Sequence, residues 1–220
     1  MNMQDDVNPG NQQLSATDVF HNWAISGKDE GMESGHGPAV QEMLLVGLAE
    51  ISKRGSPFSA VDVGCGNGWA TRQLASMPFC KSAIGIDGAQ GMIEKAKQLD
   101  QNGTYIHTEI MHWDPPQPVE LIHSMEVFYY LKDTQGLLNH LYKWLSNDGI
   151  LIFGVDRYEE NVTTHSWDTD VGCFMALHSE KEWMDFVENA GFEIVKKWRA
   201  ATSSDWPGTL AIMAKKPSED

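Results

Sequence analysis

The sequence predicts a single α/β domain built on a doubly wound, mostly parallel sheet with helices on both faces. Three observations predict it: β-prone runs alternate with helical runs, the first β-prone run ends in a glycine-rich turn, and an acid closes the second run 19 residues beyond that turn. Alternation of this kind needs crossover helices, which bury both faces of a sheet.

Residues 1–18 lack apolar periodicity and contain Asn8-Pro9-Gly10, which predicts a loose N-terminal tail and places the domain at 19–220. From Pro38 onward, Val40, Met43, Leu44, Gly47, Leu48 and Ile51 fall on one stripe at helical spacing, with Pro38 suited to a first turn. After the Gly55-Ser56-Pro57 break, Phe58 to Val63 reads as a strand and Trp69 to Ser76 as its helix. The unit recurs: strands at Ser82 to Ile86, Thr104 to Thr108, Val119 to Ser124 and Ile150 to Val155, and helices at Gln90 to Leu99 and Thr134 to Leu145. Residues 156–178 break the rhythm with a polar, aromatic-bearing stretch too long for an ordinary connection. Ser179 and Glu182 match a capping box, Gly191 ends that helix, and Phe192 to Trp198 and Thr209 to Ala214 supply two last strands.

A net charge of −15 repels phosphate backbones, which argues against nucleic acid and favours a small neutral or cationic partner. No apolar run approaches the roughly 18 residues of a membrane span. The polar, acidic N-terminus is unlike a secretory signal, and three cysteines without C-x-x-C spacing suggest neither disulfides nor zinc; a reducing cytoplasm is the expected setting.

Val61-Asp62-Val63-Gly64-Cys65-Gly66-Asn67-Gly68 stands between the first strand and its helix, where glycines let a backbone approach a ligand. Asp87 stands where doubly wound folds put a carboxylate that accepts hydrogen bonds from ribose hydroxyls. Together with Ile84 to Gly88, Leu121 to Leu131 and Leu145 to Val155, the glycine run resembles the four signature regions of class I S-adenosylmethionine-dependent methyltransferases, across residues 35–215. The resemblance implies a Rossmann-like sheet of seven strands, the last antiparallel, and S-adenosylmethionine as cofactor with S-adenosylhomocysteine as product. It further implies that Asp62, Gly64, Cys65, Gly66 and Gly68 surround the methionine tail, Asp87 takes the ribose, and Gly88 and Met92 flank the adenine. Glu109 would accept from the adenine amino group with Ile110 over the ring, and Ser124 and Met125 would present backbone to the methionine amine.

The activity this implies is in-line methyl transfer, in which alignment and a dry site count for much and a base is needed only if the acceptor must lose a proton. Two segments are expected to cover the site: the glycine-rich 19–37, whose Trp23 would join the cofactor wall, and 156–178 with Trp167. Tyr129 or Phe128 would wall the acceptor, unless these aromatics simply pack under a helix; Tyr130 is the third of the run. His36 reads as a base or as an ordinary helix-start residue, and Asp156 as a site acid or a turn acid. His123 reads as a satisfied core histidine, and Asp156, Glu159 and Glu160 as a solvated loop and not a metal site. Small-molecule methylation, by a monomer or homodimer, is thus expected over a non-catalytic partner subunit, a protein methyltransferase or an NAD(P)-dependent oxidoreductase, the last lacking its G-x-G-x-x-G spacing.

Overall fold

Phe58–Val63 (β1) and Thr209–Lys215 (β7) are buried almost throughout, as strands covered on both faces must be. Between them in sequence come Cys80–Asp87 (β2), Thr104–His107 (β3), Val119–Met125 (β4), Leu145–Val155 (β5) and Glu193–Ala200 (β6). A computed structural model, which describes residues 13–218, arranges these as one seven-stranded sheet in the order β3-β2-β1-β4-β5-β7-β6. The first five strands are parallel and β7 runs antiparallel between β5 and β6. The order reverses between β1 and β4, and a crevice opens there at the strands' carboxyl ends.

Helices fill both faces. Glu30–Ile51 (α2) and Trp69–Ala75 (α3) pack Met43 and Leu74 against Ala60, Leu121 and Ile152. On the opposite face, Thr134–Trp144 (α5) and Glu180–Asn189 (α7) pack Leu137, Leu141 and Trp183 against Val61, Leu151 and Phe153. The capping box at Ser179 and Glu182 opens α7. Gln90–Leu99 (α4) crosses from β2 to the four-residue edge strand β3. The basic residues of β6 do not form a free patch, since Lys197 and Arg199 both pair with Glu180.

Three expectations change. Residues 1–12 of the expected tail lie outside the described residues, but Ser15 caps a helix, Ala16–Ser26 (α1), so the ordered fold begins before residue 19. The segment 19–37 is helical, and Pro38 lies inside α2 instead of at its start. Tertiary contact holds the α1–α2 junction. The side chain of fully buried Asp29, at the α1–α2 junction, accepts from Asn67 Nδ2 at 2.9 Å and from Lys95 Nζ at 2.8 Å. The segment 156–178 contains a 3₁₀ turn at Val162–Thr164 and a short helix, Trp167–Val171 (α6). Buried Arg157 organises it, donating to the carbonyls of Thr164 and His165 and lying 3.3 Å from Asp168.

Candidate active site

A cavity of about 620 Å³ opens at the β1/β4 switch, within the range usual for a cofactor site, roughly 300–1,000 Å³. Its floor comes from strand ends and the loops after them. Its roof is α1, the first turns of α2 and α6. Leu14, just before α1, bridges to Cys173, and Phe20 of α1 packs edge-on against Tyr130 of the loop after β4 at 5.3 Å.

The glycine run turns out of β1 with Gly64 at φ +69° and Gly66 at φ +54°, left-handed conformations that L side chains rarely adopt. A Cβ on Gly64 would stand 2.2 Å from Val127 Cγ2, whereas Gly66 faces the cavity with only the Met32 methyl near it. The Asp87 carboxylate holds this loop, accepting from Gly66 N–H at 2.9 Å and from Ala89 N–H at 2.7 Å. Burial pushes its pKa up to about 6, against the pull of those two amides. Cys65 also lines the wall, and burial raises its thiol well above the ordinary range, so it presents an uncharged surface.

Asp62, Trp23, Gly88, Met92, Glu109, Ile110 and Met125 lie in the cavity wall as well. Gly68 and Ser124 do not. Gly68 backs the loop against Tyr105, and buried Ser124 turns inward to donate to Val63 O at 2.8 Å, leaving the mouth of β4 to Met125 and Glu126.

His123 departs from the expected satisfied core histidine. Its Nδ1–H donates to Asp62 Oδ1 at 2.7 Å, and Asp62 Oδ2 accepts from Thr71 Oγ1 at 2.6 Å. Its Nε2 is fully buried without a partner, and the residue lines the cavity. A buried ring nitrogen without a partner is an unsatisfied acceptor that asks for an explanation. Strand periodicity alone could not show this; only the pairing of β1 with β4 sets His123 beside Asp62.

Across the crevice, His36 and Met32 lie one helical turn apart on α2 and both face the cavity. His36 Nδ1 stands 3.5 Å from Asp156 Oδ2, and Thr209 Oγ1 donates to Asp156 Oδ1 at 2.6 Å. Asp156 thus supports His36 from behind and does not itself line the cavity. Tyr129 and Tyr130 both do, whereas Phe128 packs into the core on Phe153. Trp167 of α6 joins the wall. The residue that sequence reasoning passed over is Glu126, at φ +61°, whose carboxylate accepts from Tyr129 O–H at 2.6 Å and from the Asp156 amide.

The match to known proteins agrees with this architecture. Residues 39–197 match the family described as a methyltransferase domain. The trans-aconitate 2-methyltransferase of Escherichia coli O1:K1 / APEC is 30% identical over 185 residues, 80% of this chain and 70% of that protein. The enzyme of the same name from Klebsiella pneumoniae (strain 342) is 34% identical over 101 residues, 46% of this chain and only 40% of that protein. The methyltransferase solved in complex with the Haloferax volcanii Trm112 methyltransferase activator superposes with a TM-score of 0.79 at 25% identity, covering 90% of this chain and 97% of that one. The chain belongs to the methyltransferase-domain family and is a class I S-adenosylmethionine-dependent methyltransferase.

Proposed function

We propose that this chain methylates a small-molecule acceptor inside the cavity at the β1/β4 switch. The observation that carries the reading is continuity: one cavity runs from the glycine loop and Asp87 to Glu126, Tyr129 and His36, roofed by α1, the first turns of α2 and α6. Bound S-adenosylmethionine supplies a methyl group on a sulfonium, which an aligned nucleophile takes by in-line displacement. Asp87 would accept from the ribose hydroxyls and Glu109 from the adenine amino group, with Gly88 and Met92 flanking the adenine and Ile110 over the ring. Gly64 and Gly66 give backbone access to the methionine end. Fit at that end rests on His123: the Asp62 carboxylate holds the imidazole proton on Nδ1, so the unpartnered Nε2 offers a lone pair to an ammonium group. On the acceptor side, His36 backed by Asp156 takes a proton, and Phe20, Tyr130 and Trp167 exclude water.

Incubation with methyl-labelled S-adenosylmethionine, a fractionated small-molecule extract and, separately, a protein extract tests this reading. Label is expected in a small molecule. Label confined to protein would overturn it.

A further inference from the structure

We propose that the acceptor is an organic amine that enters as its ammonium cation, held by Glu126 inside a cage of aromatic rings. This rests on the small-molecule reading above and names the substrate class of the same site.

The charge of the wall is one-sided. Of the acids lining the cavity, Asp62 is bonded to His123, and Asp87 and Glu109 lie at the cofactor end. Glu126 and Asp170 remain for the acceptor. Glu126 is half-buried at the floor, and Asp170 is exposed at the rim, where Ser166 Oγ donates to it at 2.7 Å. No arginine lines the cavity among the described residues. Its one lysine, Lys28, is exposed and lies 4.0 Å from the Trp23 ring centroid. Arg157, which does not line the cavity, donates to two carbonyls and lies beside Asp168. A polycarboxylate entering here would meet carboxylates at both ends of its path.

Glu126 is built with some effort. A non-glycine residue at φ +61° is strained, and such strain collects at functional sites. Its amide donates to Gly154 O at 2.9 Å, which fixes the turn. Burial, and next the charge of Asp156, push the Glu126 carboxyl well above the usual carboxylate range. A carboxyl placed at that expense is returned to its ionised form by a cation beside it. Tyr129, Tyr130, Phe20 and Trp167 supply the ring faces that a cation also favours.

The chemistry balances. The ammonium loses one proton to the His36 imidazole and thence to solvent. The freed nitrogen lone pair forms the new N–C bond while the C–S pair leaves with sulfur. An ammonium and a sulfonium therefore yield an N-methylammonium, a neutral thioether and one proton.

The test uses two probes of similar shape and opposite charge, phenethylamine and hydrocinnamate, titrated calorimetrically into the full chain loaded with S-adenosylhomocysteine. The amine is expected to bind at least tenfold more tightly. Glu126→Gln should abolish most of that preference while S-adenosylhomocysteine affinity stays within twofold, which also reports that the variant is folded; Asp170→Asn, at the exposed rim, should reduce the preference less. Labelled methyl transfer to an amine panel, compared with trans-aconitate, gives the second readout. Equal or absent binding of the two probes, or label passing to the tricarboxylate and not to amines, overturns the inference and leaves the small-molecule reading intact. Failure of S-adenosylhomocysteine to bind would overturn both.

Discussion

The two ends of the cavity are assembled differently. The cofactor end is made by consecutive strand–loop–helix units, β1 to α3 and β2 to α4, whose glycines and Asp87 lie within 24 residues of one another. The acceptor end draws on α1, α2, the loop after β4, and α6 with Met175 after it, which are remote in sequence. The first end is backbone, short side chains and the acids Asp87 and Glu109; the second is aromatic rings, a histidine and the acids Glu126 and Asp170. Local architecture suits a ligand that never changes, and distributed architecture lets the acceptor specificity vary without disturbing the sheet.

The largest effect is expected where the two ends meet. Gly64→Ala places a methyl group against Val127 in a left-handed turn and should cost roughly 3 kcal/mol, read by urea denaturation. Gly64→Ala combined with Val127→Ala should recover part of that loss; no recovery would mean that strain, not contact, joins the two ends.

His36→Ala probes the acceptor end alone. It should lower kcat on the order of 100-fold while cofactor affinity changes little. Equal losses in both would make His36 part of the roof and not a base.

Asp87→Ala probes the cofactor end and should weaken S-adenosylmethionine binding at least tenfold by calorimetry, leaving the amine preference unaltered. Asp87 also predicts a pH signature. Its carboxyl holds a proton more tightly in the fold than in the unfolded chain, so this group stabilises the empty protein as pH falls from 7 through about 6 toward its ordinary value. Cofactor needs the carboxylate, so its affinity should fall over the same interval, approaching about tenfold per pH unit below the folded pKa. Opposite slopes for stability and affinity, both flattened in Asp87→Asn, would confirm the assignment; parallel slopes would refute it.

Legibility followed the same division. The glycine run, Asp87, and the strand and helix periods could be read because each depends on neighbours a few residues away. Gly68 and Ser124 lay in the right motif yet outside the cavity, because a motif does not specify which way each residue turns. The first turns of α2, before the stripe that begins at Pro38, were obscured by Gly31, Gly35 and Gly37, which weaken helix propensity locally; Asp29, bonded to Asn67 and Lys95, anchors that end tertiarily. Glu126 carried no sequence signal, since nothing in Met125-Glu126-Val127 marks a left-handed residue.

The sequence by itself determined the sheet, its winding and the cofactor loop, because period, turn chemistry and strand-end acids act over short range. Tertiary structure alone decided that His123 bonds to Asp62 with its second ring nitrogen unpartnered, that Asp156 stands behind His36, and that Glu126 shares one cavity wall with Tyr129 and Tyr130. Those relations depend on strand register and on helices packing across the crevice, and distances between remote segments are set only when the chain closes on itself.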